Sequence, residues 1–254
     1  MTITLIAVGL GIGLLVGLTG VGGGSLMTPA LIFFGLDPLV AVGTDLLYSV
    51  PTKIFGTVVH ARQRTIDLSL VVLLCIGGLP AAIIGIALLA IAAQHVPPAV
   101  LEGWMRKAVG GMIVLAAIAI AASPFLLKYR ERESQPERLP RRRIIAVGAL
   151  VGFVVSLTSI GAGSVALPLL VLCLPSVSLA VLVGSDIAFA AVLVVVSSAG
   201  HWSLGHVNLS VTVQLLLGSL VGVYAGSKLC RLLQQAWLRP AIALTLAFAG
   251  TRLL

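Results

Sequence analysis

The chain has 254 residues, of which 59% are hydrophobic and only 9% charged, whereas a soluble domain carries roughly a quarter charged residues. That composition excludes a soluble globular protein. The formal net charge of +8 does not point to nucleic acid, because basic residues concentrate in one stretch, "KYRERESQPERLPRRR", residues 128–143, of the kind that marks a cytoplasmic loop.

Taken in order, the apolar segments are 3–18, 25–36, 39–59, 68–92 and 104–127, then 144–157, 164–174, 178–200, 209–229 and 237–254. They are rich in Leu, Ala, Val, Ile and Gly and lack the strict alternation of an outer-membrane barrel. The expected fold class is therefore all-α, a polytopic integral membrane protein. The N-terminus "MTITLIAVGL" has no basic region before its apolar run, so a cleaved signal peptide is not expected.

The order of segments is written twice. Leu18, Thr19, Gly22, Gly24, Ser25 and Pro29 reappear as Leu157, Thr158, Gly161, Gly163, Ser164 and Pro168 at a spacing of 139. After a slip of two, Gly43, Asp45, His60, Leu68, Ser69, Gly77 and Gly85 match Gly184, Asp186, His201, Leu209, Ser210, Gly218 and Gly226 at a spacing of 141. The domain expectation is a first transmembrane repeat over 1–127, a cytoplasmic charged loop over 128–143 and a second repeat over 144–254.

Five segments per half make the halves inverted if each segment reverses direction. The loops agree: "HARQRTID" is basic where its mate "HWSLGHVN" has no Lys or Arg, and "AAQHVPPAVLEG" has none where "CRLLQQAWLRP" carries Arg231 and Arg239. Four plus four parallel crossings, with 3–36 and 144–174 each counted once, is the alternative.

The stretches "GLTGVGGGSLMTP" and "SLTSIGAGSVALP" break two of these segments. Each is followed by a run of roughly half a bilayer's length at 1.5 Å per residue. Backbone freed by such a break cannot face lipid. With Ser25 and Ser164 as N-caps and Pro29 and Pro168 in or near the first turn, each break would present free N–H groups and a positive dipole end. Gly22, Gly23 and Gly24, and Gly161 and Gly163, would let a ligand approach that backbone. These residues, with Ser25, Ser164 and Lys53, are the candidate anion-binding set. Lys53 stands out because position 194, its mate, is Val; the alternative is a stem that snorkels toward the inner face.

Asp45 and Asp186 each lie within an apolar segment, where a carboxylate costs about 2.5 to 3.5 kcal/mol on insertion scales. Their retention at matched positions suits either coupling to a proton or cation or a structural role on freed backbone. His60 and His201 read as interfacial hydrogen-bonding residues. Trp104, Trp202 and Trp237 read as headgroup-level anchors at segment ends. Gly9, Gly13 and Gly17, and Gly218, Gly222 and Gly226, form small-residue seams for close helix packing. Cys75, Cys173 and Cys230 lack ligand or disulfide spacing. No metal, cofactor or nucleotide site is expected, and no nucleophile and base constellation argues for an enzyme.

The stretches "GLTGVGGGSLMTPALIFFGLDPLVAVGTDLL" and "TKIFGTVVHARQRTIDLSL", with the degenerate second copy, resemble the sulfite exporter TauE/SafE family of membrane transporters over nearly the whole chain. The second copy departs from the pattern at Ser159 and Ala162, where the first has glycine. The resemblance implies transport of sulfur-containing anions such as sulfite, sulfoacetate and other sulfonates across the bacterial inner membrane. The expected partners are thus a small anionic substrate and the lipid bilayer, with a coupling proton or cation; the sequence leaves the oligomeric state open. The expected mechanism is alternating access in a secondary carrier; a passive anion channel on the same half-helices is the alternative.

Overall fold

The computed structural model describes residues 2–19, 24–130, 140–229, 244 and 246–254, with the side chains of 2, 17, 19, 123–130 and 227 set aside. Most of the described residues are helical, with no strand among them. In chain order the helices are α1 (Thr2–Thr19), α2 (Gly24–Phe33), α3 (Pro38–Arg62), α4 (Leu68–His95), α5 (Pro98–Arg130), α6 (Arg141–Thr158), α7 (Ala166–Cys173), α8 (Leu179–Ser203) and α9 (Leu209–Leu229). Residues 246–253 are also helical. Gly22, Gly23, Gln135, Cys230, Arg231, Trp237 and Arg239 lie outside the described residues.

Four helices are long and apolar enough to cross a bilayer, by length and composition, among the described residues: Leu68–His95, Pro98–Ala122, Leu179–Ser203 and Leu209–Gly226. The polarity of the molecule is turned inside out. Phe55, Leu68, Leu220 and Phe248 are exposed, while Thr28, Thr44, Asp45, Ser185, Ser197 and His201 are buried. An apolar exterior around polar interior groups is what a lipid solvent selects.

The helix starts are set by short polar side chains. Asp37 caps α3, accepting from the N–H groups of Leu39 at 2.7 Å and Val40 at 3.3 Å, and Pro38 fills a position where a missing N–H costs nothing. Asp67 caps α4 through Ser69 and Leu70, Ser178 caps α8 through Val181, and Asn208 accepts from Val211 at the start of α9. Helix α5 begins six residues before the expected start, which places Trp104 in its second turn instead of at its end. The expected segment begins after Glu102, but the helix runs through that residue, and its buried stripe of Leu101, Met105 and Val109 is unbroken.

Glycines determine which helices touch. Gly9 and Gly13 of α1 lie against Leu215 and Ser219 of α9, and Gly218 and Gly222 of α9 lie against Ile6 and Leu10 of α1. The two helices therefore run in the same direction, backbone against backbone. Gly148 and Gly152 of α6 meet Leu74 and Gly78 of α4, and Gly77 meets Ile145, again in the same direction. Helices α3 and α8 run in opposite directions: Gly43 lies against His201, while Gly56 lies against Ile187.

Two hydrogen bonds tie the ends of α3 and α8 to loops. The Asn208 N–H donates to Thr44 Oγ1 at 3.0 Å and the Asp67 N–H donates to Ser185 Oγ at 2.9 Å. Both donor and acceptor of the second bond stand 141 positions from those of the first, with the halves exchanged.

Candidate functional site

Short helices α2 and α7, of 10 and 8 residues, are about 15 and 12 Å long at 1.5 Å per residue. The chain that leads into α7 turns sharply. Ser159, the C-cap of α6, has φ 61°, and Gly161 and Gly163 have φ 144° and 85°. Glycine pays no Cβ penalty in these conformations, whereas Ser159 adopts the left-handed region against its preference.

Ser164 is not the N-cap of α7. That place is held by Val165, which makes no side-chain cap bond, and the helix starts at Ala166. The turn over 162–165 is completed by backbone bonds from the N–H groups of Val165 and Ala166 to the Gly161 carbonyl, so the serine is displaced outward from the helix. Ser164 Oγ is buried and makes no hydrogen bond within the protein. In the first copy α2 starts at Gly24, which puts Ser25 inside the first turn, buried, and Pro29 in the second.

Around these turns a charged group is assembled from both halves. The Thr28 hydroxyl of α2 donates to Asp45 Oδ2 of α3. Ser159 faces the same carboxylate, and its carbonyl packs against Gly24, so close that a methyl group there would overlap it. On the other side the Gly163 N–H donates to Asp186 of α8. Asp45 and Asp186 are both buried, at 0% and 2% exposure, and each keeps one oxygen, Oδ1, without a partner.

Lys53, two turns after Asp45 on α3, is half-buried and interacts electrostatically with both carboxylates. One ammonium thus serves two acids. Tyr48 is buried one turn after Asp45 and pairs with Ser219 of α9. The site therefore brings together Gly24, Asp45, Lys53, Gly163 and Asp186 from the expected set, with Ser25 and Ser164 in the adjoining turns.

Sequence reasoning missed Thr28, Tyr48 and the direct part of Ser159. A signal was present for two of them. Thr28 is matched by Leu167 and Ser159 by Gly20, so each marks a place where the halves differ in polarity, as Lys53 does against Val194.

His201 lies in the last turn of α8. It is wholly buried at the α6 and α8 contact, where Nε2 donates to the Ser156 carbonyl at 2.8 Å; a carbonyl can only accept, which places a proton on Nε2. His60 remains near the end of α3, with Nδ1 2.8 Å from Thr65 Oγ1. Among the described residues no cluster of three or more His, Cys, Asp or Glu could hold a metal ion.

The family model described as "Sulfite exporter TauE/SafE" matches residues 5–253. The chain belongs to the sulfite exporter TauE/SafE family. It is 40% identical over 235 residues to the probable membrane transporter protein YjnA of Bacillus subtilis, covering 90% of each chain. It is 27% identical over 245 residues to the probable membrane transporter protein YdhB of the same organism, covering 96% of each. No solved structure matches. Family and relatives alike are named for membrane transport and not for catalysis, and the chain is a multi-pass membrane protein of this transporter type.

Proposed function

We infer that the chain is a secondary carrier of the bacterial inner membrane that moves small sulfur-containing anions, sulfite or sulfonates, by alternating access. The observation that carries this reading is the group of two buried acids, Asp45 and Asp186, with the half-buried Lys53, contributed by both halves and placed beside two short helices. Charge of both signs held inside an apolar bundle is costly and marks a polar path for a solute. The lone ammonium and the turns at Gly24, Ser25, Gly161, Gly163 and Ser164 supply donors for an anion; Gly22 and Gly23 belong to the same proposed set.

The helix directions support two inverted repeats, 1–127 and 144–254, joined by a cytoplasmic loop over 128–143. Corresponding helices α3 and α8 run oppositely, and α1 runs with α9 as its counterpart α6 runs with α4. For α1 and α3 to share a direction, α2 must return between them, which favours five plus five segments over four plus four. A site on the axis between such halves can open to one side and then the other as they rock.

Purified protein should gain thermal stability from sulfite, thiosulfate, methanesulfonate or sulfoacetate and not from acetate. A ligand that binds only the folded state at a hundred times its Kd adds about 2.7 kcal/mol. Stabilisation by acetate alone, or by none of the sulfur anions, would remove the substrate class.

A further inference from the structure

We propose that Asp45, Asp186 and Lys53 act as a charge-balancing site in which the anion is accompanied by as many protons as it has negative charges. The proposal rests on the carrier reading above and adds the coupling ion and its stoichiometry. Two acids and one ammonium give the empty site a net charge of −1 when all are ionised. A monoanion added alone would make −2 in a bundle of apolar helices, where repulsion between like charges is strong.

One proton on one carboxylate restores −1 for a monoanion. One on each carboxylate restores −1 for a dianion. The loaded and empty sites then carry equal charge, so both forms cross between orientations at similar cost. The protons have places to go: Asp45 Oδ1 and Asp186 Oδ1 are buried and make no hydrogen bond, while each acid's other oxygen is held, by the Thr28 hydroxyl and by the Gly163 N–H. The groups facing the two acids are Thr28 from α2, Lys53 and Tyr48 from α3, Ser159 from the end of α6 and Gly163 from the turn before α7. Lys53 is the one fixed cation among them, and Tyr48 is engaged with Ser219. As the protons bind to and leave carboxylates with no bond made or broken in the anion, the cycle is balanced and reversible.

The test uses the whole protein in liposomes with methanesulfonate, a monoanion, and sulfoacetate, a dianion at neutral pH. Counterflow at equal pH first reports whether the carrier reading holds; if neither sulfonate exchanges, that reading and this proposal both fail. Given exchange, a one-unit pH difference, alkaline inside, should concentrate methanesulfonate about tenfold and sulfoacetate about a hundredfold, since each proton contributes about 1.4 kcal/mol. An imposed membrane potential should change neither ratio, and replacing sodium by choline should have no effect.

Exchange without accumulation under the pH difference, accumulation driven by sodium, or equal ratios for the two anions would each overturn the proposal while leaving the carrier intact. Asp45→Asn and Asp186→Asn each leave one titratable acid. Each should bring the accumulation of sulfoacetate down from about a hundredfold to about tenfold, the ratio that one proton supports. Should either variant fail to fold, the two ratios of the unaltered protein still decide.

Discussion

The Thr28 hydroxyl donates to Asp45 Oδ2, so the short helix α2 is held to the acidic residue of the next helix. Removing the donor while keeping the shape leaves a buried carboxylate oxygen unpaired. Thr28→Val should lower stability by about 1 to 3 kcal/mol, the cost of leaving such a group unsatisfied, read as a lower melting temperature in detergent. Thr28→Ser, which keeps the hydroxyl, should recover most of it.

Lys53 is the cation that both carboxylates share. Lys53→Met keeps most of the side chain's length and removes its charge. Anion binding should weaken by about 1.5 to 3 kcal/mol, roughly tenfold or more, if a charge-assisted hydrogen bond is lost. Titration calorimetry on folded protein measures it, and unchanged affinity would return Lys53 to a residue whose stem packs on the bundle and whose charge reaches the membrane surface.

The glycine seams separate packing from conformational freedom. A methyl group at Gly77, Gly148 or Gly218 would overlap the backbone of the facing helix, at Ile145, Leu74 and Ile6 respectively. Backbone cannot give way as a side-chain tip can, so each Gly→Ala change should cost about 1 to 3 kcal/mol. At Gly11, Gly103 and Gly111 nothing lies within 4 Å of such a methyl, and alanine there should be neutral or stabilising by up to about 1 kcal/mol from helix propensity. Thermal melting of the six variants checks the contrast.

Inverted halves place corresponding loops on opposite sides of the membrane. In a background without native cysteines, a cysteine at Arg64 should be protected from an impermeant thiol reagent added outside, and one at Gly205 should react. Gln94 should behave as Gly205 does, and Gln135 as Arg64 does. A protected Gly205 with a reactive Arg64 reverses the orientation; the same behaviour at both contradicts inverted halves.

Helix positions were legible because apolar length and polar punctuation both survive in the sequence. The run over 209–229 coincides with α9, and 68–92 falls within α4. The seams at Gly9, Gly13, Gly218 and Gly222 were legible too, since only small residues allow backbones to meet. Ser164 misled because a serine before an apolar run resembles a cap, yet the Gly161 carbonyl closes the turn and Val165 occupies the cap position. Trp104 falls at a segment end when the apolar span stands for the whole helix, whereas α5 begins at Pro98. Pairings such as Thr28 with Asp45, or Asn208 with Thr44, join residues distant in the chain and follow from helix packing that no local pattern encodes.

Counterflow in reconstituted vesicles tests the carrier most directly. Vesicles loaded with unlabelled methanesulfonate or sulfoacetate and diluted into a trace of the labelled anion should accumulate the label transiently above its outside concentration, because unlabelled anion inside competes with the label for the inward-facing site and slows its exit. Passive diffusion through an anion channel cannot produce that overshoot once the membrane potential is clamped. A measurable anion current with no overshoot would contradict alternating access and make the protein a channel built on the same helices.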